Sequence, residues 1–266
     1  MSSNLYQRVR EPRSSINQWQ PTTEEVVDYL INRRIRNNQN WVGAICGETG
    51  SGKSYTALRI GEMVDPNFSA DNIVFSVKEF LDSFESRSPG EMVVFDEGQE
   101  WSARRAMSKK NVELTDVMTM LRFSLVNVLF TVPDIHMVDI SLRRLMHGYL
   151  VVEPINRATA LPRLRDKSMA RIYLLKHQRR PGSKTSEPRP LLPAIPIVRG
   201  KEKQSVPINS ALFTAPRPAL LAAYEARKRE VFHERLAKAR ATLGGASTPP
   251  VPPPPAASST GLAELM

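Results

Sequence analysis

The sequence predicts an α/β fold, a mainly parallel sheet with helices on both faces, and three observations carry that prediction. Short apolar runs alternate with helix-patterned segments from residue 41 to residue 152, as strands and crossover helices do in such a sheet. The first run, Trp41–Cys46, leads into a glycine-rich octapeptide that opens a helix. A later run, Met92-Val93-Val94-Phe95, ends in two acids, Asp96-Glu97.

The elements follow in order. Residues 1–20 are polar and are read as a flexible arm. Pro21-Thr22-Thr23-Glu24-Glu25 announces a helix, because Thr22 and Glu25 have capping-box spacing. Val26, Val27, Leu30, Ile31 and Ile35 form its apolar stripe, and Arg33, Arg34 and Arg36 suit the negative end of its dipole. Trp41–Cys46 is a buried strand. The helix after the glycine-rich turn runs from Lys53 to Val64 and stops at Asp65-Pro66. Asn72–Val77 is a second strand, Lys78–Ser86 a short helix, and Met92–Phe95 a third strand. Asn111–Ser124 is helical, Val126–Val132 a fourth strand, Asp134–His147 a helix and Tyr149–Val152 a fifth strand. Arg171–Leu175 is expected at a sheet edge. These elements assign residues 21–180 to one α/β domain. Pro181, Pro188, Pro190, Pro193 and Pro196 mark residues 181–217 as a proline-rich linker. Residues 218–245 form a basic helix begun by Pro218 and ended by Gly244-Gly245. Residues 246–266, with their run of prolines, form a disordered tail.

Composition limits the classes of function. A single cysteine, Cys46, excludes an internal disulfide framework and a Cys-rich zinc cluster. No apolar run approaches the roughly 18 residues needed to cross a bilayer, and the first residues lack an apolar signal core. A cytoplasmic protein without an integral membrane segment is therefore expected. The net charge of +10 is unevenly spread. Residues 1–100 hold 10 Lys/Arg against 15 Asp/Glu, net −5, and the remainder holds 27 against 12, net +15. That asymmetry points to a polyanion partner, nucleic acid or an anionic membrane face, with a plain solvated basic surface as the alternative.

The octapeptide Gly47-Glu48-Thr49-Gly50-Ser51-Gly52-Lys53-Ser54, with Tyr55 next, fits the phosphate-binding loop at every fixed position. Phosphates need several converging N–H donors, and only a glycine-rich turn lets the backbone wrap so closely. The following helix turns its positive end toward the anion. Lys53 is expected at the β- and γ-phosphates and the Ser54 hydroxyl on Mg²⁺. Carboxylates are costly to bury and belong at a strand's exposed end. Asp96 there would orient Mg²⁺-bound water, and Glu97 would act as general base on the attacking water. Thr131, closing the fourth strand, has two readings: a polar sensor of the water or γ-phosphate, or an ordinary β-branched strand residue. Asp139, Arg143 and His147 fall four apart on the expected helix, which makes either an ion-pair ladder or a presented arginine. Arg143 or Arg122 is the candidate for an arginine acting in a neighbour's site, as transition-state charge spreads over the γ-phosphoryl oxygens. His136 and His147 show no metal-ligand spacing, so Mg²⁺ is the one metal assigned.

The strand and helix over Asn72–Ser86, placed between the loop strand and the acidic strand, resemble the division of P-loop NTPases that has an additional strand and a catalytic glutamate, the RecA-like type. A signalling GTPase would carry an Asn-Lys-x-Asp guanine reader, which does not occur here. A small-molecule kinase stays open, but the acidic pair favours hydrolysis. The loop, the Asp96-Glu97 strand and the stretch Leu121-Arg122-Phe123 through Thr131, Asp139, Arg143-Arg144-Leu145 to His147 together resemble the zonular occludens toxin-like ATPases, a group similar to the FtsK–HerA division of DNA-pumping motors. The resemblance covers roughly residues 40–180. It implies ATP as the nucleotide, hydrolysis, an oligomeric ring and DNA translocation, packaging or transfer. Phage members of that family carry a membrane-spanning segment after the ATPase domain, whereas this chain has a proline-rich stretch and a basic helix. In the FtsK–HerA division a glutamine near the γ-phosphate is common. Here Gln99 lies just past the acids and Thr131 stands at the sensor position.

Two further readings stay beside the DNA motor. One is an ATP-switched adaptor that docks a protein partner through the C-terminal helix or polyproline tail; the other is a helicase-loading protein. The helix carries Arg227, Lys228, Arg229, Arg235, Lys238 and Arg240, with Leu220, Leu221, Tyr224, Val231 and Leu236 available for packing. It could grip nucleic acid, dock on the ATPase core or bind a partner helix.

Overall fold

The structure, a computed structural model, describes residues 21–84, 86–96, 123–154, 167–176 and 189–242. It divides into two compact units, one ending at Glu225 and the other beginning at Ala226.

Helix α1 (Thr23–Val27) starts where its capping residues dictate. Thr22 accepts from the Glu25 N–H while the Glu25 carboxylate accepts from the Thr22 N–H, so two orphan donors are satisfied reciprocally. The helix continues through a π-turn, Asp28–Asn32, into α2 (Arg33–Arg36). Val26, Val27, Leu30 and Ile31 are buried, as the stripe requires.

Strand β1 (Val42–Cys46), helix α3 (Lys53–Val64), β2 (Ile73–Val74), α4 (Val77–Phe84), β3 (Met92–Phe95), β4 (Asn127–Val132), α5 (Ile140–Arg143) and β5 (Gly148–Glu153) build the α/β core. Side by side the strands run β2, β3, β4, β1, β5, and all neighbours are parallel. An additional strand does separate β1 from β3, but it is β4. Of the pair inserted between them in sequence, β2 lies at the sheet edge and α4 on a face. Parallel strands are joined by crossovers, so the chain can skip a position and fill it later.

Both faces of this sheet are covered, and its strands are apolar throughout. On one face Ala44, Val93, Phe95, Val128 and Phe130 cluster with Phe80 of α4 and Leu142 of α5. On the other, α3 packs across β1, β3 and β4, with Ala57, Leu58 and Ile60 buried.

Three expectations are corrected. Asp134–His147 is not one helix. Asp134 caps a 3-10 turn, Ile135–Met137, by accepting from the His136 N–H, and Asp139 caps α5 by accepting from the Ser141 N–H. Each aspartate restarts the chain, so the apolar spacing spans two short pieces. Next, β6 (Lys167–Lys176) is not an edge strand. It pairs antiparallel with β5 on one side and with β7 (Arg189–Leu191) and β10 (Ser210–Thr214) on the other. Finally, residues 189–214, within the expected linker, are strands. Besides β7 and β10 they form a separate hairpin of β8 (Ala194–Arg199) and β9 (Glu202–Pro207), turned at Gly200 with φ 63°. Ile195 and Ile197 alternate inward along β8. Edge and two-stranded positions tolerate proline, since a missing N–H there faces away from the partner. Helix α6 (Pro218–Thr242) follows, and its residues up to Glu225 belong to the first unit. Among the described residues no helix is long and apolar enough to cross a membrane. The expected arm 1–20, most of helix Asn111–Ser124 and the tail lie outside the described residues.

Candidate nucleotide and metal site

The glycine-rich loop joins the C-terminal end of β1 to the N-terminus of α3. Its entry is fixed by the Gly47 N–H, which donates to the Pro133 carbonyl at 3.0 Å, and its middle by the Ser51 N–H, which donates to the Glu48 carbonyl at 3.1 Å. Gly52 stands at φ 96°, and a Cβ there would come within 2.8 Å of Ser168 Oγ on β6. Gly47 stands at φ 150°, and a Cβ there would meet the Val152 carbonyl of β5 at 2.7 Å. Glycine is needed at both positions for the conformation and for the space. Gly52 is also the N-cap of α3 and offers no side-chain cap, so the first-turn amides are left to a ligand's oxygens. The Ser51 hydroxyl is buried without a hydrogen-bond partner among the described residues. An orphaned donor inside a ring of amides fits an anion.

Lys53 lies over this loop, its ammonium donating to the carbonyls of Gly47 at 2.8 Å and Glu48 at 2.7 Å. Ser54 donates to Asp96 Oδ1 at 2.8 Å. Thr131 donates to the same oxygen at 2.6 Å, and Tyr224 donates to Oδ2 at 2.7 Å. Asp96 is fully buried, and its carboxylate oxygens accept from these three hydroxyls. Beside it, Tyr55 donates to Glu225 at 2.9 Å. Cys46, the last residue of β1, has its thiol pushed up to about 12, chiefly by burial, with the Asp134 charge adding and Lys53 opposing. It is packing, not a nucleophile.

The donor set also fits a magnesium ion. Mg²⁺ in nucleotide sites takes one or two protein oxygens and completes its shell with phosphate and water. One hydroxyl and one carboxylate, Ser54 and Asp96, stand together beside the loop.

The structure thus brings Gly47 to Tyr55, Asp96 and Thr131 into one place. Glu97, Arg122 and Gln99 lie outside the described residues. His147 lies beyond the short helix that joins Asp139 to Arg143: the Arg143 N–H donates to the Asp139 carbonyl at 2.9 Å and its guanidinium lies 3.4 Å from His136 Nδ1, whereas the His147 Nδ1 accepts from the Val42 N–H at 3.0 Å. Tyr224 packs as the sequence suggests, buried against Phe75 and Tyr55, but sequence reasoning misses its hydroxyl bond to Asp96. Its partner is remote in the chain, and no local spacing marks it.

No protein-family model matches this chain, and a search of curated proteins gives no match. Among solved structures, the N-terminal domain of zonular occludens toxin from Neisseria meningitidis is similar at 18% identity and TM-score 0.36, over 50% of this chain and 83% of that one. The genome packaging NTPase of Sulfolobus turreted icosahedral virus 2, in complex with ATP-gammaS, is similar at 10% identity and TM-score 0.33, over 53% of this chain and 98% of that one. The parallel order of β2, β3, β4, β1 and β5, with the phosphate loop after β1 and the acid after β3, makes this an α/β P-loop NTPase fold.

Proposed function

We propose that the chain is a Mg²⁺-dependent ATPase, working as an oligomer, whose hydrolysis drives work on nucleic acid, DNA foremost. The observation that carries the nucleotide part is the Ser54–Asp96 hydrogen bond beside a loop whose lysine rests on its own carbonyls.

Residues Gly47 to Tyr55 would hold the phosphates, with Lys53 exchanging two loop carbonyls for phosphate oxygens. The Ser54 hydroxyl points its proton at Asp96, which would leave its oxygen lone pairs for a metal. Ser54 and Asp96 would hold Mg²⁺, which would offset the negative charge of the phosphates. Asp96 would orient the metal's water, and Glu97, next in the chain, would take a proton from the attacking water. Thr131 fixes Asp96 from the neighbouring strand. An arginine offered to a neighbour's site, Arg122 or Arg143, belongs to the oligomeric part of the proposal. Support for the nucleic-acid part is the net +15 after residue 100, including the cations of residues 227–240 on α6.

The test is ATP turnover with and without DNA at two salt concentrations. Lys53→Ala abolishes turnover, and Glu97→Gln keeps ATP bound while stopping hydrolysis. DNA stimulates turnover, and that stimulation weakens steeply with salt, because phosphate contacts release counterions. Unchanged turnover in Lys53→Ala removes the nucleotide reading. Absence of DNA binding at low salt removes the nucleic-acid part and favours an ATP-switched adaptor. A size measurement with an ATP analogue and DNA decides the oligomer.

A further inference from the structure

The start of α6 is tied along α3. Arg217 donates to Glu62 Oε1 through its backbone N–H at 3.0 Å and its Nε at 2.7 Å. Glu225 accepts from Tyr55. Tyr55 opens α3 and Glu62 lies two turns on, whereas Arg217 precedes α6 and Glu225 lies two turns into it. The partners are therefore matched in reverse order, and the first turns of α6 run antiparallel to α3. Leu220 and Tyr224 are the buried residues of this segment. The Tyr224 ring stacks on Phe75, with centroids 6.3 Å apart, and meets Tyr55 edge-on at 6.5 Å. A buried tyrosine hydroxyl needs a partner, and here that partner is Asp96 Oδ2.

We infer that Tyr224 is a positioning residue of the metal site, and that through it the docking of α6 and the occupancy of that site are coupled. The inference rests on the reading of Ser54 and Asp96 as the Mg²⁺–nucleotide site. A carboxylate rotates about its Cβ–Cγ bond unless both oxygens are held. Ser54 and Thr131 hold Oδ1, and Tyr224 holds Oδ2. The three donors come from α3, β4 and α6, so undocking α6 takes away the hydroxyl that holds Oδ2. Coupling of this kind is reciprocal: a ligand that needs the held carboxylate stabilises the docked helix.

The test uses the full chain as wild type, Tyr224→Phe, Leu220→Ala and Lys53→Ala. The Mg²⁺ concentration for half-maximal turnover is measured against kcat, and hydrogen exchange of amides 218–225 is followed with and without Mg²⁺ plus a non-hydrolysable ATP analogue. Tyr224→Phe raises the half-saturating Mg²⁺ concentration about tenfold, the scale found when partners of metal-site groups are removed, while kcat at saturating Mg²⁺ stays within about twofold of wild type. Leu220→Ala, which does not touch Asp96, shifts Mg²⁺ dependence in the same direction. In wild type the ligand slows exchange at 218–225; in Tyr224→Phe the slowing shrinks, and in Lys53→Ala it is absent. A Tyr224→Phe variant with unchanged Mg²⁺ dependence, or one that loses kcat alone, overturns the inference, as does exchange indifferent to the ligand. If wild type neither binds the analogue nor hydrolyses ATP, the site reading fails and the coupling falls with it. If wild type is active, Lys53→Ala inactive and Tyr224→Phe like wild type, the coupling alone fails.

Discussion

Replacing Thr131 by valine separates the two readings of that residue. The side chain is 2% exposed and its hydroxyl donates to Asp96 Oδ1 at 2.6 Å. Valine keeps the shape and the β-branching, so strand propensity is preserved. What it removes is a hydrogen bond to a buried charged group, worth about 1.5–3 kcal/mol. At roughly 1.4 kcal/mol per decade this lowers the folded-to-unfolded ratio about ten- to a hundredfold. Thr131→Ser supplies the control. It loses one buried methyl, about 1 kcal/mol, but keeps the donor. Serine is therefore the milder change in stability, and the two differ in chemistry: serine retains the wild-type Mg²⁺ dependence of turnover and valine raises the half-saturating Mg²⁺ concentration, because Asp96 loses one of the groups that aim it. Urea denaturation at unchanged m-value measures the first quantity, and steady-state hydrolysis across a series of Mg²⁺ concentrations measures the second. A valine variant within about 0.5 kcal/mol of wild type, with wild-type Mg²⁺ dependence, would refute the reasoning and leave Thr131 as strand packing.

The single thiol gives a second check. Cys46 is 3% exposed and its pKa is pushed up to about 12, so at pH near 8 the folded protein resists an aromatic disulfide reagent while the urea-unfolded chain reacts at once; fast stoichiometric labelling of the folded protein contradicts the burial. A third concerns Glu25 on α1, whose carboxyl is held below its ordinary 4.5 first by the hydrogen bond from Arg199 on β8, against the opposing effect of burial. A depressed folded pKa stabilises above the ordinary value, and that stabilisation is lost as pH falls through the folded one. The difference in thermal midpoint between wild type and Arg199→Met should therefore be full at about pH 7, shrink below 4.5 and diminish in high salt. A difference independent of pH would assign the effect to packing of the hairpin instead.

What could be read from the sequence divides by the range of the interactions involved. The loop, α3 and β3 were legible because their signals are local: an octapeptide of fixed glycines, a Pro66 stop, an apolar run closed by acids. The capping box of α1 was legible for the same reason, with both partners inside one turn. The stretch after Asp134 misled because Leu142, Leu145 and Met146 keep helical spacing, while Asp134 and Asp139 each satisfy amides that a continuous helix would have used itself. The prolines of 181–217 misled more widely. Pro190 sits in β7, Pro196 in β8 and Pro207 ends β9, where a sheet has an unpaired side. Tyr224 could not be found from pattern at all. In a helix rich in Lys and Arg it reads as an apolar contact, and only the antiparallel docking along α3 shows which acceptor its hydroxyl meets.

Strand register ties the apolar core to the polar site. Phe95 of β3 pairs with Phe130 of β4, and their rings, 5.9 Å apart, lie in the cluster with Phe80. Side chains alternate along a strand, so the next residues, Asp96 and Thr131, face the opposite side, where α3 begins with Lys53 and Ser54. On the other flank Ile45 pairs with Thr131, and Cys46 with Val132, which brings the loop after β1 level with the end of β4. The bond from Gly47 to the Pro133 carbonyl closes that flank. A slip of β4 by one residue would turn Thr131 into the phenylalanine cluster, a hydroxyl without an acceptor, and turn Phe130 toward the acid. The register that satisfies the core is therefore the register that aims Asp96. The site is specified by the packing of Phe95 on Phe130 as much as by the glycine-rich loop itself.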